Sequence, residues 1–259
     1  MRARETLNLA ARCRLVAGAV VFDLYGVLLD PEVMRREYHR RVAAILQREY
    51  GGTVEAWLRA HDIAYREYVA AVTRPGFFRD RPHRDALREA EVTHLRAMFR
   101  EAGKRPPEGD PFALSEALDE IVLTGIHAAY PETARVLGEV RGMGFEVDIA
   151  TNASLTSARA ALRGSDLHRE VHSLVTADLV GLRKDSAEFW RDGFQALRRD
   201  PWDCVVVDDE PASLRPAIRV GAQGVWVNRA GDVPGGLHFP VVSTLGSLRG
   251  LPDVLRQLR

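Results

Sequence analysis

Three acidic residues stand where they could do chemistry together: Asp23 at the end of Ala19-Val20-Val21-Phe22, and Asp208-Asp209 at the end of Cys204-Val205-Val206-Val207. A carboxylate at the C-terminal tip of a parallel strand lies in the crevice where doubly wound sheets bind ligands. Ionised, it needs no general base to act as a covalent nucleophile. Asp followed by Leu24-Tyr25-Gly26 also reads as a turn, in which the side chain satisfies local backbone groups, and from Asp23 alone both readings stand. Adjacent acids such as Asp208-Asp209-Glu210 repel one another, so a cation is the natural reason to keep them together. Mg²⁺, which prefers carboxylate oxygens and retained waters, suits them.

Two segments between these acids complete a possible site. Ile149-Ala150-Thr151-Asn152-Ala153-Ser154 offers hydroxyl, amide and helix N-terminal N–H donors to an anionic oxygen, or else a plain helix cap. Gly181-Leu182-Arg183-Lys184 offers a cation able to pair with both the nucleophile and a phosphoryl group, although most single lysines are solvated.

The elements that must position these residues are legible as apolar runs of strand length. They are Ala19 to Phe22, Phe145 to Ala150, Val171 to Thr176 and Cys204 to Val207, with weaker candidates at Val225 to Val227 and Val241-Val242. Continuous apolar character suits parallel strands covered on both faces. Between them, Thr133 to Met143, Leu155 to Arg163, Ser186 to Arg199 and Ala212 to Val220 read as helices that stop at Gly or Pro. The alternation predicts an α/β, doubly wound, Rossmann-like parallel sheet. From Asp30 to about Tyr130 strand-like runs vanish, and Arg, Glu, Ala and aromatics recur at helical spacing. That stretch is predicted to be an inserted α-helical domain, 31–130, in a core made of 1–30 and 131–259. Breaks at Thr73-Arg74-Pro75-Gly76 and Lys104 to Pro111 predict two helical hairpins within it.

Lys+Arg and Asp+Glu each total 36 in 259 residues, so no global field gathers nucleic acid or an anionic membrane, and a small-molecule substrate is the expected partner. Of the two cysteines, Cys13 and Cys204, the second lies in an apolar run as a buried thiol would, which predicts a reducing, cytoplasmic compartment. Arginines interrupt the N-terminal segment MRARETLNLAARCRLVAGAVVF, so no export signal is read there, and no membrane span is predicted.

Taken in order, these segments resemble the four motifs of the haloacid dehalogenase (HAD) superfamily, from about Ala19 to about Val227, with the insert where type I members carry a helical cap. Tyr130-Pro131-Glu132-Thr133, Gly144-Phe145 and Thr151-Asn152 resemble the second-motif region. Asp208-Asp209 with Leu214-Arg215-Pro216-Ala217 and Gly221 resembles the fourth motif of the phosphatase branch. The resemblance implies that Asp23 attacks, Thr151 and Asn152 bind the transferred group, and Lys184 steadies its charge. It also implies that Asp23, Asp208, Asp209 and the Tyr25 carbonyl hold Mg²⁺.

The pattern departs at Tyr25, where HAD phosphatases usually carry a second Asp as general acid. Losing a positioned proton donor typically removes about 10²–10⁴ in rate. Halide leaves unprotonated, and the 2-haloacid dehalogenases are similar in having Asp-x-Tyr-Gly; they work without metal, however, and carry Ser and Asn in place of Asp208-Asp209. Tyr25 is either an aromatic wall of the site or a core residue. In the third motif, Asp185 replaces the usual Pro and is expected to pair with Lys184 or cap the helix from Ser186. Three functions follow: a Mg²⁺-dependent phosphatase acting on a small, anionic metabolite, a metal-independent 2-haloacid dehalogenase, and a HAD-fold binding protein with little or no phosphatase activity. In the insert, Trp57, Tyr65, Tyr68, Phe77 and Phe78 either line a pocket or form the insert's core, and Arg59, Arg66, Arg74 and Arg79 could meet an anion. His39, His61, His83 and His94 show no metal-ligand spacing and receive no role.

Overall fold

The computed structural model describes residues 18–74, 76–78, 82–231 and 240–258. Cys13, Arg79 and the N-terminal segment through residue 17 therefore lie outside the described residues. In chain order the elements are β1 (Ala19–Phe22), α1 (Pro31–Tyr50), α2 (Val54–Val72), α3 (His83–Glu101), α4 (Pro111–Thr124), α5 (Thr133–Gly142), β2 (Glu146–Thr151), α6 (Leu155–Gly164) and β3 (Ser173–Thr176). They continue as α7 (Ala177–Val180), α8 (Ala187–Leu197), β4 (Cys204–Asp208), α9 (Pro211–Arg219), β5 (Gln223–Val227), β6 (Ser243–Leu245) and α10 (Leu251–Gln257).

The six strands form one parallel sheet in the order β3-β2-β1-β4-β5-β6. Successive side chains of a strand point to opposite faces. Val20 and Phe22 accordingly join one core cluster, with Ile149, Val205 and Val207, while Val21 joins the other, with Val206, Trp190 and Phe194. This double burial is why β1 and β4 read as unbroken apolar runs. Phe22 pairs with both Ile149 and Val207, so the chain leaves β1, β2 and β4 at one level of one edge.

The weakest strand candidate is corrected. The edge strand is Ser243–Leu245, not Val241-Val242, because its register follows the buried partner: Val225 pairs with Ser243, and Val242 only donates its N–H to the Gly224 carbonyl at 2.8 Å.

The insert is helical, and the two expected breaks fall between helices. A third break, at Gly51-Gly52 with φ of 71° and 88°, was not anticipated. Asp30 and Asp110 cap α1 and α4, each ahead of a proline in the first turn, and Thr53 caps α2. α1 packs on α2 and α3 on α4, as two hairpins would; α2 also packs on α3, and α4 lies against α6 of the sheet layer, so the hairpins are joined to each other and to the core. The α4–α6 contact requires a glycine, since a Cβ at Gly164 would stand 2.2 Å from the Leu123 carbonyl and 2.5 Å from that of Ile126. Gly164→Ala is expected to lower stability by about 1–3 kcal/mol, read as a lower melting temperature. An unchanged melting temperature would show that the two helices separate freely. No helix among the described residues is long and apolar enough to cross a membrane.

Candidate active site

The residues singled out by type converge at the C-terminal edge of β1, β2 and β4. The Asp23 N–H donates to the Val207 carbonyl at 2.9 Å, which locks the start of its loop to the neighbouring strand. Lys184 reaches under this edge, 2% exposed, and its ammonium donates to Asp23 Oδ1 and, at 2.8 Å, to Asp208 Oδ2. One carboxylate oxygen from each of Asp23, Asp208 and Asp209 lies within 4.8 Å of the others, a grouping able to hold a metal ion.

Lys184 is held in place from several sides. Asn152 Oδ1 accepts its backbone N–H at 3.0 Å, and Trp190 Nε1 donates to its carbonyl at 2.8 Å. The side-chain oxygen of Asn152 thus ties the second segment to the third rather than standing free. Ser154 caps α6, and Thr151 Oγ1 accepts the Ala153 N–H at 3.2 Å, which shapes the loop between them. Asp185 is exposed and takes neither expected role: Ser186 Oγ caps α8 by accepting the Phe189 N–H, and Lys184 is already engaged by Asp23 and Asp208.

The charge balance is unusual for a buried site. Burial alone would lower Lys184, but Asp208 and Asp23 overcome this and hold the ammonium charged above the ordinary lysine range. Burial pushes Asp23 up to about 8, opposed by Lys184 and reinforced by Asp208 and Asp209. Burial, then Asp208 and Glu210, pushes Asp209 up to about 6. Three carboxylates thus lie around one ammonium, which bonds two of them, and the donor set is of a kind that could hold a divalent cation. The close approach of the loop to Asp209 depends on Gly26, whose φ is 85° and whose Cβ would stand 2.2 Å from Asp209 Oδ2.

Sequence reasoning missed Arg229. Its guanidinium donates to the Gly26 carbonyl at 3.0 Å and the Val27 carbonyl at 2.9 Å, pairs with Glu132 at 2.8 Å, and lies 3.5 Å from the centre of the Tyr130 ring. It fastens the loop after Asp23 to the start of α5. The available signal was its position two residues beyond the apolar run Val225 to Val227, at the same sheet edge.

Tyr25 forms part of the wall of a cavity of about 240 Å³ between the loop and the insert, which Tyr65 and Tyr68 also line. Trp57 instead belongs to the insert's core, edge-on to Phe99, and Phe78 stacks on His83 and under Arg183. Arg59, Arg66 and Arg74 do not line the Tyr25 cavity; the arginine at its rim is Arg35. The scattered histidines are closer than their spacing implied, with His39, His61 and Asp62 grouped within 4.8 Å. His39 and His61 stack with 26° between ring planes, however, and lone pairs lying in near-parallel planes do not converge on one ion.

Comparison with known proteins identifies a family. The family model for haloacid dehalogenase-like hydrolases matches residues 17–221. The chain is 30% identical to Phosphatase MT3486 of Mycobacterium tuberculosis (strain CDC 1551 / Oshkosh) over 54% of its own length and 64% of that protein's. It is 27% identical to (S)-2-haloacid dehalogenase 4A of Burkholderia cepacia over 92% of its length and 94% of that protein's. Among solved structures, the HAD-hydrolase YfnB of Bacillus subtilis superposes with a TM-score of 0.66 at 16% identity, over 92% of this chain and 98% of that one. With a matched model that spans most of the chain and a parallel sheet carrying Asp23, Lys184 and Asp208-Asp209 at one edge, the chain belongs to the haloacid dehalogenase-like hydrolase family.

Proposed function

We propose that this hydrolase is a Mg²⁺-dependent phosphatase that cleaves small phosphate monoesters through an aspartyl-phosphate at Asp23, with the insert 31–130 acting as its cap. The observation that carries the reading is the convergence of Asp23, Asp208 and Asp209 on one point, with Lys184 the one ammonium bonded to the group among the described residues. Asp23, Asp208 and Asp209, with the Tyr25 carbonyl, would hold Mg²⁺. When bound, that ion would screen the phosphoryl oxygens and keep Asp23 ionised.

An Asp23 carboxylate oxygen attacks phosphorus in line, and the bond from phosphorus to the ester oxygen breaks. Lys184 and the Thr151-Asn152 loop hold the transferred group, and the leaving alkoxide takes its proton from solvent because Tyr25 stands where an acid would. Water then attacks phosphorus, phosphate departs, and Asp23 is restored.

Tyr25 and the Burkholderia relative favour the second reading, hydrolysis of a 2-haloacid through an ester at Asp23. Asp208 and Asp209 oppose it, since a carboxylate substrate would meet uncompensated acids. A panel of phosphate esters and 2-haloacids, each with Mg²⁺ and with chelator, separates the two. Metal-dependent phosphate release is expected. Halide release indifferent to chelator would replace the proposal, and silence on both panels would leave a binding protein.

The metal assignment has a readout independent of turnover. A ligand at about 100 times its Kd stabilises the folded state by about 2.7 kcal/mol, so Mg²⁺ should raise the melting temperature. Asp209→Asn is expected to remove most of that rise while leaving the metal-free melting temperature equal or higher, because one repelling acid is gone. An unchanged Mg²⁺ titration would take Asp209 out of the metal site.

A further inference from the structure

The cavity behind Tyr25 has a chemistry that the phosphoryl-transfer residues do not use. Two carboxylates, Glu91 from α3 and Asp119 from α4, line it together with Tyr25, Tyr38, Tyr68 and His61. Asp119 accepts the Tyr38 hydroxyl at 2.6 Å and the Ser157 hydroxyl at 2.7 Å; Glu91 accepts the Ser115 hydroxyl at 3.2 Å and is bonded by Tyr68. Each carboxylate oxygen has more than one acceptor site, so both retain free lone pairs. Among the described residues neither acid has a cationic partner. Arg35, at the rim, pairs instead with Glu32 at 2.6 Å.

His61 adds a buried imidazole to the cavity's lining. It is 5% exposed, lines the cavity, and keeps Nδ1 buried without a hydrogen-bond partner. Burial, then His94 and His39, pushes its imidazole down to about 3, so at neutral pH it is an uncharged ring that can accept as well as donate. Burial and Asp119 push Glu91 up to about 7, the behaviour of an acid lacking a countercharge. The cavity thus presents two carboxyl groups whose anionic forms burial disfavours in the absence of a countercharge, an uncharged imidazole and tyrosine rings, with Arg35 also in its lining. That set complements a donor-rich cation and repels a carboxylate.

We infer that this cavity receives the protonated amine of the substrate's leaving group, so that the preferred substrates are short aminoalkyl phosphates whose ammonium sits among Glu91, Asp119, His61 and the tyrosine faces. Tyr25 links the cavity to Asp23: it lines the cavity, follows Asp23 by two residues, and its hydroxyl feels the charges of both Asp119 and Asp23. The volume of about 240 Å³ fits a short chain. An ammonium near the ester oxygen also withdraws electron density from it. The departing alkoxide is then less basic, which suits a site with Tyr25 in place of an acid. This assignment deepens the phosphatase reading and rests on it.

Two measurements keep the two claims separable. Turnover of p-nitrophenyl phosphate with Mg²⁺ reports the phosphoryl chemistry alone. Calorimetric titration of the Asp23→Asn protein, with Mg²⁺ present, compares 2-aminoethyl phosphate with ethyl phosphate and glycerol phosphate. The amine is expected to bind at least about tenfold more tightly than either, equivalent to about 1.4 kcal/mol. The near-isosteric changes Glu91→Gln and Asp119→Asn, made in that protein, are each expected to shrink the ratio toward one. Equal affinities, or preference for glycerol phosphate, would overturn the amine assignment while p-nitrophenyl phosphate turnover still upheld the phosphatase. Absence of that turnover, with the amine preference intact, would overturn the phosphatase and leave an ammonium-binding cavity; failure of both would overturn both.

Discussion

Asp23→Asn is expected to abolish turnover, by on the order of 10⁴-fold or more, in a protein that still folds. An amide is nearly isosteric with the carboxylate but cannot attack as an anion. The fold should survive because the lost contact is one of two: Lys184 keeps its bond to Asp208 at 2.8 Å, and the cluster sheds one of three mutually repelling acids. Rates on the best phosphate ester, with circular dichroism and a melting curve on the same sample, check both halves. Retention of most activity in a folded protein would remove Asp23 from its place as nucleophile.

Lys184→Met is expected to be far more damaging to the fold. It leaves Asp23 and Asp208 buried without their countercharge, and breaking a buried pair from one side typically costs about 3–5 kcal/mol. The sign with pH is fixed by the direction of the shifts. Both acids already have folded-state pKa values above the ordinary carboxylate range, Asp23 at about 8, and loss of the ammonium raises them further. Between the unfolded pKa near 3.8 and the folded value, the folded state holds protons that the unfolded state has released, so stability falls as pH rises. At Asp23 the two folded forms differ in bound protons only above about 8, where the wild type releases a proton that the variant keeps, so the deficit should widen as pH rises through about 8, as read by denaturant unfolding across pH. A constant deficit would mean that Lys184 contributes packing rather than charge.

What could be read in the chain before its structure follows from what each feature depends on. Asp23, Asp208 and Lys184 were legible because each sits at the end of, or directly beyond, a local pattern, and a parallel sheet brings strand ends to one edge whatever the loops do. Strand β6 was misplaced because an edge strand is half-exposed and takes its register from Val225 rather than from its own apolar content. Arg229 went unnoticed because its partners, Gly26 and Glu132, are distant in sequence, and no local pattern announces a guanidinium folding back on them. The cavity behind Tyr25 was hidden for the same reason. Glu91, Asp119 and His61 come from three helices, and each alone reads as one polar residue on a helix face. Asn152 was read as an anion donor through its amide; that its side-chain oxygen also positions the lysine was not visible in the sequence.

The most direct test of the central claim is to look for the covalent intermediate itself. Rapid acid quenching during Mg²⁺-supported turnover of a phosphate ester, followed by peptide mass mapping, should find one phosphoryl group on the peptide containing Asp23 and none in the Asp23→Asn protein. Turnover with no modified peptide, a phosphoryl group on another residue, or an Asp23 adduct formed only from a 2-haloacid would contradict the account.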